Sequence, residues 1–382
     1  MGAQVARHHS SHRRLLTKVR VDRAAPAELE AIVVPSFRRA GRLRHVMRVA
    51  RHLHTQLVVL CSGRTQAAEV IGQAADIGTR AWAIDLPAER PEFIDAFETT
   101  RIQREMLGAD QRDIAMKRNL GLLLGRSLGW QRIMFIDDDI KITNADQLRR
   151  AAALSDRYEV VGLENHGYPD NSVVCHANRI VGRKQKTFVG GGAMVVQPHR
   201  VGSFFPEIYN EDWLFMLAGD HLVSVAAAGR VIQGAYDPFA DPNRARREEF
   251  GDCIAEGLFS RLDHRKPIEG ADKDFWTEFL ADRRLLIQRI RRKVRSRITG
   301  DRRERMLAAL AASERSRASI SPADCVVYLQ AWERDRALWR TRLTECPTTD
   351  SIYEAVQKFG ISAADVHEVE DRQSSDDRVP RP

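Results

Sequence analysis

The chain has little that would force it out of the ordinary globular class. Its 382 residues hold five cysteines, at 61, 175, 253, 325 and 346. They are scattered and odd in number, which fits reduced thiols in a cytosolic protein better than a disulfide framework. No stretch reaches the ~18 apolar residues that a membrane helix needs. The opening stretch is basic (HHSSHRRLLTKVR), but no apolar segment follows it, so a signal peptide is not expected. There is no internal repeat. With 43% hydrophobic and 29% charged residues, the length suits one large domain with an appendage.

The net charge of +8 is unevenly spread. Residues 1–51 carry twelve Lys/Arg against three acids, and residues 283–305 carry eleven against two. The remainder is therefore acidic. A basic balance raises nucleic acid or an anionic membrane surface as partners. Here the excess sits in an arm and two helical segments, which reads first as solvated faces. No specific nucleic-acid partner is expected. Peripheral contact with an anionic membrane, at its inner face, is the expectation attached to these segments.

Hydrophobic patterning alternates strand and helix. AIVVPS (31–36), QLVVLCSG (56–63) and TRAWAIDLP (79–87) read as strands, separated by amphipathic helices. A helix over 112–128 leads to the strand QRIMFI (131–136). A helix near 144–154 and a strand over 158–165 follow. Further strands are expected at 187–198 and 229–239, with a helix opening at 208–219. This implies an α/β fold with a mostly parallel central sheet flanked by helices. Beyond about 270 the pattern is helical, rich in Arg, Ala and Leu. The expected divisions are a basic mobile arm over 1–27, a catalytic domain over 28–270, a helical extension over 271–367 and a disordered tail over 368–382.

Three motifs carry chemistry. The strand IMFI runs straight into Asp137, Asp138 and Asp139. At ~4 Å separation each like-charge pair costs about 4 kcal/mol at an effective dielectric near 20. A divalent cation at the strand's mouth would make the triplet tolerable, and hard oxygen ligands suit Mn²⁺ or Mg²⁺. Ligands of open α/β sheets bind at such strand ends. Lys117, Arg118 and Asn119 lie in the first half of the preceding helix, where cationic groups and amides can hold a diphosphate. Glu211 and Asp212 open a later helix, where acids meet the helix dipole, and Trp213 beside them can line a sugar face. Gly191 and Gly192, in the GGG entry to the preceding strand, join Trp213 as candidates for the acceptor and sugar pocket.

PSFRRAGRL after the first strand, KRNLGLLLGRSLGWQRIMFIDDDI, GGGAMVV and NEDWLF occur in that order. This ordered set, over about 30–270, resembles the GT-A glycosyltransferases, most closely family 2-type members. The resemblance implies the GT-A fold and transfer of one sugar from a nucleotide-diphosphate sugar donor to a hydroxyl acceptor, with Mn²⁺ or Mg²⁺. It implies that Ser36, Phe37 and Arg39 line the nucleotide pocket, with Asp85 near the base. It places Lys117, Arg118, Asn119, Asp137 and Asp138 against the donor, Asp139 and Asp137 on the metal, and Asp212, with Glu211, as the catalytic acid pair. Asp212 would be the general base of an inverting transfer.

Family members often supply a later histidine to the metal. Here that region reads GAYDPFADP, so Asp237 is the expected substitute, with His264 and His221 as other candidates. The QXXRW motif of processive synthases is absent, so a soluble, single-addition enzyme is expected. The acceptor segment 165–191 contains His166, Cys175 and His176, whose spacing fits no common zinc site. RARREEFGDCIAEGLF (244–259) reads as a helix closing over the site. Two alternatives are a GT-A-like nucleotidyltransferase, against which the single glycine of PSFRRAGRL argues, and a non-catalytic scaffold binding anionic surfaces through its basic helices.

Overall fold

The computed structural model describes residues 12–91, 93, 96–108, 113–166, 172–182 and 189–369. The first strands are β1 (Thr17–Lys18) and β2 (Ala31–Ser36). Helix α1 (Arg44–Leu53) ends at His54 in the left-handed region, and β3 (Gln56–Cys61) follows. Helix α2 (Ala67–Ile77), stopped by Gly78, leads to β4 (Ala81–Asp85). Every residue of β2 and β3 is buried, as expected of parallel strands covered on both faces.

Helix α3 (Glu98–Leu107) precedes α4 (Ile114–Ser127), which is buried almost all round. Gly121 lets α4 lie directly on the sheet, because a Cβ there would stand 2.8 Å from the Phe135 ring. Then come β5 (Ile133–Ile136), the short β6 (Ile140–Lys141), α5 (Asp146–Leu154) and β7 (Val160–Asn165). Helix α6 (Val173–Ile180), capped by Ser172, falls inside the segment read from sequence as an acceptor loop. Strand β8 (Ala193–Val196), the short helix α7 (Glu211–Phe215) and β9 (Val225–Gln233) complete this half.

Among the described residues ten strands form one sheet in the order β1-β9-β7-β8-β5-β2-β3-β4-β10, with β6 pairing β9. Strand β8 runs antiparallel to both of its neighbours, β5 and β7. The pairs β2–β3, β2–β5, β3–β4 and β7–β9 are parallel. The carboxyl ends of β2, β5, β7 and β9 therefore share one rim, and β8 enters the sheet from that rim. This places Ser36, Asp137–Asp139, Asn165, Gln233 and Gly190–Gly192 on the same side.

The remaining elements are α8 (Pro242–Asp263), α9 (Lys273–Arg297), α10 (Gly300–Ser319), α11 (Pro322–Glu345), α12 (Ile352–Lys358) and β10 (Val366–Glu368). Helix α8 contains the helix expected at 244–259, and its first turns line the cavity described below. Most of its length is buried, including the acids Glu248, Glu249, Asp252, Glu256 and Asp263. Each draws a partner from elsewhere. Arg283 of α9 bonds Glu249 at 2.8 Å and Asp252 at 2.5 Å. His12 bonds Asp263 at 2.5 Å and Glu256 at 3.2 Å. The basic stretch 283–305 is thus partly consumed inside the molecule, with Arg291 on Glu314, Arg297 on the Val181 carbonyl and Arg305 on Asp237.

Several expectations are corrected here. Residues 12–27 do not form a mobile arm: β1 extends the sheet beside β9, and His12 is buried. Asp263 and Glu256 on α8 hold this segment, Asp263 through both His12 and Arg14. Residues 1–11 and 370–382 lie outside the described residues. Glu368, assigned to the disordered tail, belongs to β10, which pairs antiparallel with β4. The strand expected at 229–239 lies at 225–233, set by its register with β7, and the helix at 208–219 shrinks to Glu211–Phe215. No helix among the described residues is long and apolar enough to cross a membrane.

The His12 contacts carry a pH signature. Burial alone would lower its pKa, but the hydrogen bonds it donates to Asp263 and Glu256, with their charges, outweigh burial and raise it to about 9. Because the folded value lies above the unfolded one, this stabilisation, on the order of 3 kcal/mol, is complete below pH 6.5 and is lost as pH rises through 9. The stability difference between wild type and His12→Gln, measured by urea unfolding, is expected to shrink over that window. A difference constant with pH would contradict the pairing.

Candidate active site

The turn after β5 sends its three carboxylates to three different partners. The Asp137 N–H donates to the Gly192 carbonyl at 3.0 Å, and the Ile140 N–H returns to the Asp137 carbonyl at 3.1 Å. Asp138 is buried and accepts the Ser36 hydroxyl at 3.2 Å. Asp139 accepts the Gln233 amide at 3.4 Å. The Arg38 guanidinium spans the last two, donating to Asp138 and lying 3.3 Å from Asp139. Burial, together with Asp137, raises the Asp139 pKa despite Arg38.

Asp137 faces the other way, onto Arg118 of α4, at 2.9 Å. The same guanidinium donates to Glu211 and lies over the Phe205 ring, 5.5 Å from its centre. Arg118 is 2% exposed, so this is a buried ion cluster in low dielectric. Three carboxylates, Asp137, Glu211 and Asp212, act on the one cation. The anionic excess has a consequence. Burial raises the Glu211 pKa to about 7 and raises that of Asp212, in both cases against the pull of Arg118.

The glycine run makes this approach possible. A Cβ on Gly191 would stand 2.5 Å from the Arg118 guanidinium, and one on Gly190 would stand 3.0 Å from Asp212 Oδ2. Asp212 accepts the Gly191 N–H at 2.5 Å and its own helix's Trp213 N–H at 3.0 Å. Asn210, with φ +63°, turns the chain just before this acidic pair.

Asp137, Glu211, Asp212, Arg118 and Arg38 all line a cavity of about 470 Å³. Its far wall holds Asn165, Tyr236, Arg244 and Arg247, from the ends of β7 and β9 and the first turns of α8. Arg244 is held by Glu248 and stacks 4.6 Å from the Tyr236 ring centre. The sequence places the segments carrying Asn165, Arg244 and Arg247 near the site without singling out any of these wall residues. They come from separate segments that only the β7–β9 pairing brings together. Arg38 was passed over in favour of its neighbour Arg39, although an RR pair always leaves that choice open.

Other candidates have different employment. Lys117 is 1% exposed and donates to the Ser36 carbonyl and the Ser62 hydroxyl, both at 2.6 Å, so it ties strand ends together instead of facing the cavity. Asn119 is buried and bonds both ways with the Phe205 backbone at 2.8 Å. Trp213 is buried against Phe259 and His12, so it presents no face to a sugar. Asp85 caps α2 through the Ala67 N–H at 2.9 Å. Phe37 is 43% exposed, with its ring over Gly63. Arg39 is exposed.

None of the suggested extra metal ligands stands with the triplet. Asp237 pairs with Arg305 at 3.2 Å, His264 bonds the Ser260 carbonyl at 2.7 Å, and His221 bonds Asp220 at 2.6 Å. His176 bonds the Tyr236 hydroxyl at 2.8 Å, and burial lowers its pKa to about 3. Cys175 instead lies with Asp252 and Glu256, their ligand atoms within 4.8 Å of one another. Those two acids are already engaged by Arg283, Asn210 and His12.

No protein-family profile and no curated protein matches the chain. Among solved structures, it is similar to the mannosyltransferase PcManGT from Pyrobaculum calidifontis, in complex with GDP-Man and Mn²⁺. Identity is 13%, with 84% of this chain and 90% of that chain covered, at a TM-score of 0.39. It is also similar to a crystal structure of a mycobacterial protein, at 15% identity, with 62% and 74% covered and a TM-score of 0.33. Overlays this loose carry no argument, and the functional reading rests on the site's own geometry.

Removing the central cation should be costly. Arg118→Met leaves the buried Glu211 and the half-buried Asp137 without their cation and is expected to lose about 3–5 kcal/mol of stability by chemical denaturation. Adding Glu211→Gln should restore part of it. A loss below about 1 kcal/mol would mean that the cluster is not the buried ion network described.

Proposed function

We propose that this protein is a metal-dependent glycosyltransferase of the GT-A type, taking a nucleotide-diphosphate sugar as donor and a hydroxyl group as acceptor. One observation carries the reading. Asp137 of the strand-end triplet and Glu211 of the α7 acidic pair, some seventy residues apart in sequence, meet on one guanidinium in the wall of a cavity large enough for a small-molecule ligand. Perturbed carboxylates gathered in a cleft favour a reacting site over a scaffold.

Asp139 and Asp137 are the residues that would hold a divalent cation, with Asp138 beside them. The donor set is all carboxylate oxygen, which suits Mn²⁺ or Mg²⁺. It already draws the Arg38 guanidinium into the place of a counter-ion. When bound, the cation would stabilise negative charge on the leaving diphosphate. Phe37, exposed at the edge of the rim, offers an aromatic face to the nucleotide base.

Asp212 is the proposed general base. Its carboxylate is fixed by two backbone N–H groups and lines the cavity. Burial raises its pKa despite Arg118, the direction that suits a general base. It takes the proton from the acceptor hydroxyl as that oxygen bonds to the anomeric carbon. The bond between that carbon and the donor phosphate oxygen breaks, and its electron pair stays with the diphosphate. Attack opposite the leaving group inverts the anomeric centre. Arg118 holds Glu211 and Asp137 directly and acts on Asp212 only through its charge.

Calorimetric titration of GDP and of UDP, with and without Mn²⁺, tests the donor side. Binding is expected to need both the metal and Asp139, and Asp139→Asn should lose it. Asp212→Asn is expected to keep nucleotide affinity and to lower turnover by about 10²–10⁴-fold. Nucleotide binding indifferent to both metal and Asp139 would refute the assignment.

A further inference from the structure

Two guanidiniums serve the acidic rim, and they are held in opposite ways. Arg118 is 2% exposed and boxed between α4, β5 and α7. The Arg38 side chain is 48% exposed, while Asp138 beneath it is 4% exposed. Arg38 feels the charge of all three aspartates and contacts two of them, Asp138 and Asp139. Its backbone does not share this freedom. The Thr65 hydroxyl donates to the Arg38 carbonyl, the Arg64 N–H donates to the Phe37 carbonyl at 3.0 Å, and Ser36 and Thr65 share a hydroxyl contact at 2.9 Å. The chain is a fixed pivot carrying a long, half-solvated arm that ends in a charge.

We propose that Arg38 is a tethered counter-ion of the aspartate triplet, displaced by the divalent cation, and that the displaced guanidinium then binds the donor diphosphate. The inference rests on the nucleotide-sugar reading above and adds a coupling to it. Cation and guanidinium cannot share Asp138 and Asp139 without like-charge repulsion. A metal arriving alone must evict Arg38 into water and so binds weakly. A metal arriving with a diphosphate offers the evicted guanidinium two charged oxygens, and Arg38 already lines the cavity where that anion would lie. Metal and nucleotide must then strengthen one another's binding through this one side chain, and by the same factor in each direction. Arg38, not Arg39, is the residue assigned this role.

The test is equilibrium titration of MnCl₂, following free Mn²⁺ by electron paramagnetic resonance, alone and with GDP or UDP. It compares wild type, Arg38→Ala, Arg38→Lys and Asp139→Asn, with thermal unfolding alongside. Arg38→Ala is expected to bind Mn²⁺ alone about tenfold tighter than wild type, and the nucleotide's enhancement of Mn²⁺ affinity, about tenfold in wild type, should fall towards one. Arg38→Ala should also melt lower than wild type in the absence of the ion and regain the difference with it. Arg38→Lys, which keeps the charge, should lie between the two. Asp139→Asn should bind Mn²⁺ more weakly than any of them.

Mn²⁺ affinity that is unchanged or weaker in Arg38→Ala overturns the proposal, as does undiminished enhancement by nucleotide, or no Mn²⁺ binding by any of the proteins. The two readings fail separately. If no protein binds GDP or UDP yet Arg38→Ala gains Mn²⁺ affinity, the counter-ion role stands and the glycosyltransferase reading falls. If wild type binds metal and nucleotide together but Arg38→Ala binds Mn²⁺ no tighter, the reverse holds.

Discussion

A single buried guanidinium organises the functional rim. Arg118 reaches it from α4, the helix most deeply set against the sheet, and collects carboxylates from the end of β5 and the start of α7. Under it lie Phe205 and Phe215, stacked with ring centres 4.0 Å apart. A charge in such surroundings is tolerable only with its partners in place. The position of the helix, the strand end and the acidic pair are therefore one choice, not three. The glycine run of 190–192 belongs to the same choice, since side chains there would collide with Arg118 or crowd Asp212 and Asp137.

A second polar seam runs along α8 and does a different job. Its buried acids are met by Arg244 from its own first turn, by Arg283 from α9, and by His12 from before β1. Apolar packing would bind these segments without fixing their register. Ion pairs buried on one helix set the register residue by residue. The seam also accounts for Cys175, Asp252 and Glu256 without a metal, because each acid already has a protein donor.

Much of the layout was legible in the sequence because the parallel strands are continuous apolar runs ending in polar turns. AIVVPS, QLVVLC and IMFI could be placed at once, and with them the rim that holds Ser36 and Asp137–Asp139. What escaped was anything decided by a distant partner. KRN on α4 reads as one diphosphate-holding group, yet Lys117, Arg118 and Asn119 turn to three separate buried sites. Trp213 read as a sugar platform because its burial depends on Phe259, on a helix not adjacent in sequence. The cavity's far wall was legible only as segments and not as residues, since local pattern does not reveal that β7 pairs with β9 or which residues of α8 face the cavity.

The sheet is finished at both margins by short pieces from remote parts of the chain. One margin is β1, two residues paired near position 226; the other is β10, three residues paired near position 84. Short margins protect against pairing with other molecules, but here they arrive on different schedules. During synthesis β1 is made early and must wait for β9, whereas the free side of β4 stays uncovered until nearly the whole described chain has emerged. Its backbone donors and acceptors are then open to any extended segment nearby. The nascent protein is thus most exposed to wrong association late in its synthesis, and the last strand to appear is the one that ends that exposure.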